Sequence, residues 1–363
     1  MANDTLYVAQ DHELIPHIDR TLTDFLTTEL LALGAVDPAL EPFAAVARDL
    51  ALARGKRLRP TFAYWGWRGA TGADAPVEPL LPAFAALELM HTFALIHDDL
   101  MDAATTRRGL PAAHLRYTSN HIVHGWRGDA DRFGTSTAVL AGDLCLVWAD
   151  RLMGSSRVAP ARLADARRVY DAMRVDAVAG QYLDVLGEAA PGTWSVDRSL
   201  TVARYKSASY TVWRPLQFGA ALADGAASRL TEAYRRYGVA VGEAFQLRDD
   251  LLDVYGDPTV TGKRRGEDLR RGKPTVLIML ARRRATARQR LVLDDRLGSA
   301  TLTSEQIDDL ADLILATGAY QQVEHMIDER VRRAVGALGD AGLDEPTYRA
   351  LLGLAVAATA RTA

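Results

Sequence analysis

The stretch PAFAALELMHTFALIHDDLMDAA, residues 82–104, is built almost wholly of strong helix formers. It has no glycine, no proline after its first residue, and three carboxylates at its end. A segment this rich in Ala, Leu and Met reads as one long helix. The same period marks 135–153, 161–186, 228–254, 275–296, 304–316 and 319–338, and no segment shows the apolar–polar alternation of a half-buried strand. The chain is therefore expected to be all-α. Breaks fall at 127–134, 154–160, 187–194 and 255–275. None is long or biased enough for an interdomain linker, so residues 1–363 read as a single domain.

Composition narrows the functional classes. Charged residues are 25% of the chain and the net charge is −3, which gives no footing for nucleic acid or an acidic membrane. The lone Cys145 excludes an internal disulfide and, within LCLVWA, reads as a buried thiol. The first residues lack the basic and apolar blocks of a signal peptide, and no apolar run of 18 free of charge is present. A soluble, cytoplasmic protein without a transmembrane segment is expected.

The acidic end of the first helix, HDDLMD (97–102), returns as RDDLLD (248–253), each followed by a basic, glycine-containing loop. Residues four apart on a helix are neighbours, so Asp98 and Asp102 share a face, as do Asp249 and Asp253. Two charges 4 Å apart repel by about 4 kcal/mol at an effective dielectric of about 20. A cation relieves that repulsion, and Mg²⁺ takes carboxylates together with substrate phosphates and water. Two such turns facing one another could hold two or three Mg²⁺ ions and a diphosphate. A third match, IDDLAD (307–312), serves as the control. Its aspartates Asp308, Asp309 and Asp312 follow Ser304, a plausible N-cap, and no basic loop comes after. It reads as a solvated helix face.

Basic groups surround the first two turns in sequence: Lys56, Arg57 and Arg59 in GKRLRP, Arg107 and Arg108 in RRG, Lys206 in YKSASY, and Lys263 and Lys273 in GKRRGEDLRRGKPT. Arginine forks and lysine ammonium groups both bind phosphate oxygens. His91 shares the first helix; alone it would be a core histidine. Asp143 and Asp184 read as structural hydrogen-bonding residues, His97 as orienting its neighbour Asp98, and Trp65, Trp67 and Trp213 as core or interface filler.

At GKRLRP, HDDLMD with RRG, LAGD (140–143), GQYLD (180–184), YKSAS (205–209), FQLRDDLLD (245–253) and the GK-rich loop with GKPT (262–275), the chain resembles the trans-isoprenyl diphosphate synthases, or polyprenyl synthetases. Seven motifs in order, spanning 55–275, make the resemblance specific. It implies a homodimer of all-α bundles, each around a deep central cavity. It also implies condensation of isopentenyl diphosphate with an allylic diphosphate after Mg²⁺-assisted ionisation. Carried over by position, Asp98, Asp102 and Asp249 would be Mg²⁺ ligands. Asp253 would join the metal set through water, and Asp99 and Asp250 would brace the clusters. Arg107, Lys206, Gln246 and Lys263 would hold the allylic diphosphate, with Lys273 flanking the same loop. Lys56, Arg59, His91 and Arg108 would hold isopentenyl diphosphate. Lys206, Gln246 and Arg107 would act most directly on the reacting groups. Ser207 stands where the family commonly has threonine and keeps the hydroxyl.

The growing tail would run along the helix that carries Asp98. Phe93 lies about 7–8 Å upstream of that aspartate at 1.5 Å per residue, with Ala94 beside it and Met90 about a turn deeper. One bulky residue at 93 beside a small one at 94 resembles the geranylgeranyl pattern. A farnesyl diphosphate synthase is the runner-up. A class I terpene cyclase would lack RDDLLD and GKRLRP, and a non-catalytic partner subunit would be expected to lose an acidic turn; this chain keeps all three features.

Overall fold

A computed structural model of the protein describes residues 4–53, 55–72, 75–223, 228–257 and 265–359. They are overwhelmingly helical, as the periodicity requires. The chain packs as two compact units, residues 1–64 with 74–163, and residues 65–73 with 164–363. Both boundaries that lie among described residues, 64/65 and 163/164, fall inside helices, which is why no linker composition marks them.

In the first unit, α1 (Asp4–Val36) and α2 (Leu40–Leu52) pair, α3 (Leu58–Thr71) begins, and α4 (Leu81–Met101), α5 (Ala113–Val123) and α6 (Ala130–Gly154) follow. The stripe Leu14, Ile18, Leu22, Leu26 and Leu30 repeats every four residues and is buried, so α1 offers one apolar face. Helix α4 is different: Ala83 to Met90 are all buried, as suits a central helix packed on α1, α2, α5 and α6. The segment Glu78–Met101 is long and apolar enough to cross a membrane, but this burial within its own unit is that of a core helix. Helix α6 meets it through a small-residue seam of Ala138, Ala141, Gly142 and Cys145, all buried. A Cβ on Gly142 would lie 2.2 Å from the His97 ring, which explains the glycine of LAGD.

Helix α4 stops earlier than expected, at Met101 rather than Ala104. Ala103 takes φ of 48°, and the Ala104 N–H reaches back to the Asp99 carbonyl at 2.8 Å, a six-residue C-terminal lock. Thr106–Arg107 and Leu110–Pro111 then form a small antiparallel hairpin, unforeseen in the sequence, whose two central residues Arg108 and Gly109 both have positive φ (53° and 78°). The RRG motif is thus a tight turn that sends two successive arginines in different directions.

In the second unit the chain runs on through α7 (Pro160–Ala189), α8 (Val196–Val202), a π-helix (Ala203–Trp213) and α9 (Arg214–Ala221). Next come α10 (Ser228–Tyr255), the short α11 (Glu267–Arg271), α12 (Val276–Arg284), α13 (Ala287–Arg296), α14 (Ser304–Ala316), α15 (Ala319–Gly339) and α16 (Glu345–Thr359). The helix expected over 275–296 is two helices. Thr286 is extended and caps α13 through a reciprocal bond with Gln289, which ends α12 at Arg284. Helix α10 is the hub, packed on the π-helix, α9, α15 and α16. Two glycines allow the closest approach: a Cβ at Gly238 or Gly242 would lie 2.4 or 2.3 Å from the backbone of Trp213 or Ala208. Below it, Leu247, Leu251, Leu269, Leu277, Ile307, Leu310 and Ile314 form a buried apolar cluster. Trp65, Trp67 and Trp213 are buried, as expected of core residues.

The control motif behaves as read. Ile307, Leu310 and Ile314 are buried, Asp312 is exposed, and Asp308 and Asp309 pair with Arg265 and Arg296. One detail differs: the N-cap is Thr303, in a capping box with Gln306, and Ser304 is the first helical residue.

Candidate active site

The first acidic turn sits at the C-terminal end of α4, where a negative helix pole already disfavours carboxylates. Asp99 is almost fully buried, and Arg107, delivered by the hairpin, donates from Nε to its Oδ1 at 2.7 Å and from Nη2 to Asp98 Oδ2 at 3.3 Å. Burial raises the Asp99 carboxyl; Arg107 opposes that, and the Asp98 and Asp102 charges add to it. Asp99 Oδ2 is buried with no hydrogen-bond partner among the described residues. Arg107 therefore braces the acidic turn, the same arginine that the resemblance assigns to the allylic diphosphate.

Beside it is a cluster of basic residues within the same unit. Burial holds the His91 imidazole well below its usual range, and Arg59, Arg108, Arg107 and Arg57 push the same way, so His91 is neutral and offers one donor and one acceptor. Arg108 donates to the Leu50 carbonyl at 3.1 Å and lies across Gly55, whose Cβ would stand 3.1 Å from its Nη2. Arg57 is the buried anchor of the GKRLRP loop. It adopts φ of 47° and bonds Asp19 Oδ1 (2.9 Å), Glu88 Oε2 (2.8 Å) and the Ala51 carbonyl (3.0 Å). Lys56 next to it is exposed. The structure brings Arg59, His91 and Arg108 into one electrostatic neighbourhood, three of the four residues that the resemblance assigns to isopentenyl diphosphate.

The second acidic turn lies within α10. Arg248 is not part of the chemistry: it forks onto Glu324 (2.6 and 2.7 Å) and donates to the Thr359 carbonyl, tying α10 to α15 and α16. Asp250 is buried, and burial together with the Asp268, Asp249 and Asp184 charges pushes its carboxyl up to about 8, against one bond from Gln246 Nε2 at 2.9 Å. Asp253 Oδ2 accepts the Asp268 N–H, and its carbonyl accepts the Gly266 N–H at 2.7 Å. The Ser207 hydroxyl donates to Gln246 Oε1 at 2.5 Å, so Ser207, Gln246 and Asp250 form one chain. A cavity in this unit is lined by Lys206, Ser207, Gln246, Asp250, Asp268, Lys273 and Asp184. Lys263 lies outside the described residues.

Lys206 and Ser207 sit on the π-helix, a wide turn that commonly marks functional sites. Sequence reading missed it, along with Asp268; Asp184, read as a structural hydrogen-bonding residue, does accept from Lys206 and Lys273. The neighbouring glycines were the available signal: Gly180 of GQYLD would place a Cβ 2.1 Å from the Lys206 backbone nitrogen.

Among the described residues, no three carboxylate, imidazole or thiol side chains form a ready-made metal cluster. The donor set nonetheless fits a hard divalent cation. The buried, unsatisfied Asp99 oxygen and the acid-crowded Asp250 both mark negative potential that Arg107 and Gln246 offset only in part. On α4, Phe93 and Ala94 are half-buried, and the Phe93 ring meets His97 edge-on with centroids 4.8 Å apart. Met90 is fully buried. His97 places Nε2 3.1 Å from the Val139 carbonyl and 3.9 Å from Asp143, so it faces α6.

The sequence profile of the polyprenyl synthetase family matches residues 41–314. The chain is 34% identical over 287 residues to a geranylfarnesyl diphosphate synthase of Aeropyrum pernix, covering 78% of this chain and 82% of that protein. It is 30% identical over 288 residues to the farnesyl diphosphate synthase of Escherichia coli, covering 73% and 86%. The crystal structure of a geranylgeranyl pyrophosphate synthase from Corynebacterium glutamicum, complexed with isoprenyl diphosphate and magnesium, superposes with a TM-score of 0.92 at 35% identity, covering 96% of this chain and 99% of that one. With the motifs in order and this fold beneath them, the chain belongs to the polyprenyl synthetase family, among its short-chain trans-prenyl diphosphate synthases.

Proposed function

We propose that the protein is a geranylgeranyl diphosphate synthase that extends an allylic diphosphate with isopentenyl diphosphate. The observation that carries the product length is a single aromatic, Phe93, beside the small Ala94 on the helix that bears Asp98. In this reading Asp98, Asp102 and Asp249, with Asp253, hold Mg²⁺. The bound ions supply Lewis-acid neutralisation of the departing diphosphate. Lys206 and Lys273, with Lys263, hold the allylic diphosphate and keep it oriented as negative charge develops on the leaving oxygen. The Ser207 hydroxyl and the Gln246 carbonyl, locked to one another, present fixed dipoles toward the carbocation. Neutral His91, with Lys56, Arg59 and Arg108, holds isopentenyl diphosphate. Arg107 keeps the first acidic turn in place. The proton lost after condensation passes to the departing diphosphate, so no protein base is required.

Incubation of the purified enzyme with Mg²⁺, farnesyl diphosphate and isopentenyl diphosphate is expected to give a C20 diphosphate, read by mass spectrometry. Hydrocarbon release or inertness would reject the reading, and no elongation beyond C15 from a shorter starter would assign farnesyl diphosphate instead. Phe93→Ala is expected to lengthen the product by one or more five-carbon units. An unchanged chain length would remove Phe93 as the floor.

The homodimer belongs to the same proposal. Val175, Val178, Tyr182 and Val185 form an exposed apolar stripe at helical spacing on α7, and Val139, Leu140 and Val147 form another on α6. Sedimentation is expected to give twice the chain mass of 39.5 kDa.

A further inference from the structure

We propose that Asp184 is a positioning residue that clamps Lys206 and Lys273 into one two-ammonium cradle for the allylic diphosphate; this rests on the reading above that those lysines hold it. The Asp184 Oδ2 accepts from Lys206 Nζ at 2.6 Å and from Lys273 Nζ at 3.3 Å. A single carboxylate oxygen thus bridges two lysines that enter from different elements, the π-helix and the loop before α12. One turn further along α7, Glu188 lies 3.7 Å from Lys273 and accepts from Arg271 at 2.8 Å. The result is a row of alternating charge: Lys206, Asp184, Lys273, Glu188, Arg271. Asp250 and Asp268 are the other titratable groups lining the same cavity.

The physical need is simple. Two ammonium groups drawn toward one diphosphate repel each other, and in a partly desolvated pocket the cheapest relief is loss of a proton. A neutral lysine cannot stabilise the charge that develops on the leaving group. The carboxylate between them removes that tendency and fixes their separation before substrate arrives. The two lysines hold Asp184 ionised in return: its carboxyl lies below the usual range despite burial. Asp184 does not touch the reacting atoms in this scheme; it acts through the lysines. The glycine that opens the same motif, Gly180, lets α7 approach the π-helix closely enough for the bridge to form.

The test is binding of inorganic diphosphate, with Mg²⁺ present, by calorimetry between pH 6.5 and 9.5. In the wild type, Lys206→Ala and Lys273→Ala are each expected to weaken binding at least tenfold; no effect from either would overturn both the clamp and the reading beneath it. Asp184→Asn keeps size and one acceptor but removes the charge. It is expected to bind diphosphate at pH 6.5 within a few-fold of wild type, because both lysines are still protonated there. Its affinity should then fall at an alkaline limb displaced toward acid by about one pH unit, and the pH profile of kcat should move with it. Asp184→Glu should restore part of the shift. A merely structural aspartate would lower the unfolding midpoint and leave the limb where it was. Binding and kcat profiles superimposable on wild type in Asp184→Asn, with the lysine variants still impaired, would overturn the clamp alone.

Discussion

Asp249→Ala is expected to lower kcat about a thousandfold while the protein stays folded. Asp249 is half-buried, so its removal leaves no large cavity, and the apolar packing of α10 rests on Leu247 and Leu251 rather than on it. What it contributes is negative charge at the turn proposed to hold the ions that stabilise the leaving diphosphate. Single stabilising groups of that kind are typically worth 10²–10³ in rate, and each decade corresponds to about 1.4 kcal/mol of barrier. Loss of an ion altogether belongs at or above the upper end. The internal control is Asp312→Ala in the third DDxxD match, an exposed residue on a solvated face, which should turn over as the wild type does. Steady-state kinetics on both variants at saturating Mg²⁺, with circular dichroism to confirm folding, decides the matter. Equal activity in the two would mean that the acidic turn of α10 is not a metal turn.

The contrast between those aspartates marks what could be read from sequence. All three segments match the same five-residue pattern, and only the glycine-marked basic loops after two of them separated function from solvation. The all-α class and the positions of the long helices were legible because they depend on local composition and period. The limits of helices were less so: α4 ends three residues early because Ala103 adopts a left-handed conformation that no alanine advertises, and 275–296 breaks at a threonine that caps through Gln289. The π-helix was hidden for a different reason. Its register is imposed by what packs on it, at Gly180, Gly238 and Gly242, and those residues are distant in sequence. Charge pairing was likewise invisible. Nothing in RRG says that Arg107 turns back to Asp99 while Arg108 turns toward Gly55; the positive φ angles of the hairpin decide it. The lysines could be picked out by type, but the carboxylate that joins two of them comes from α7.

Gly180→Ala is expected to destabilise the protein by about 1–2 kcal/mol and to damage activity as well. In an open helix interior the same change is favourable by roughly 1 kcal/mol, because alanine restricts the unfolded chain and glycine does not. Here the new Cβ would stand 2.1 Å from the Lys206 nitrogen, 2.5 Å from the Tyr205 carbonyl carbon and 2.6 Å from the Lys206 Cα. Those are backbone atoms and cannot rotate away, so α7 or the π-helix must shift. Overpacking of that kind costs about 1–3 kcal/mol and at times more, which outweighs the propensity gain. Any shift also moves Lys206 relative to Asp184, one turn along α7, and so pulls apart the pair proposed to receive the diphosphate. Gly336→Ala provides the opposite case on the same fold: it lies inside α15, is exposed, and a Cβ there would meet nothing within 4 Å. It should stabilise by about 0.5–1 kcal/mol and leave kcat/KM unchanged. Urea unfolding of the two variants should therefore move the midpoint in opposite directions. If Gly180→Ala is neutral or stabilising, the close contact between α7 and the π-helix does not exist in solution, and the placement of Lys206 that follows from it fails too.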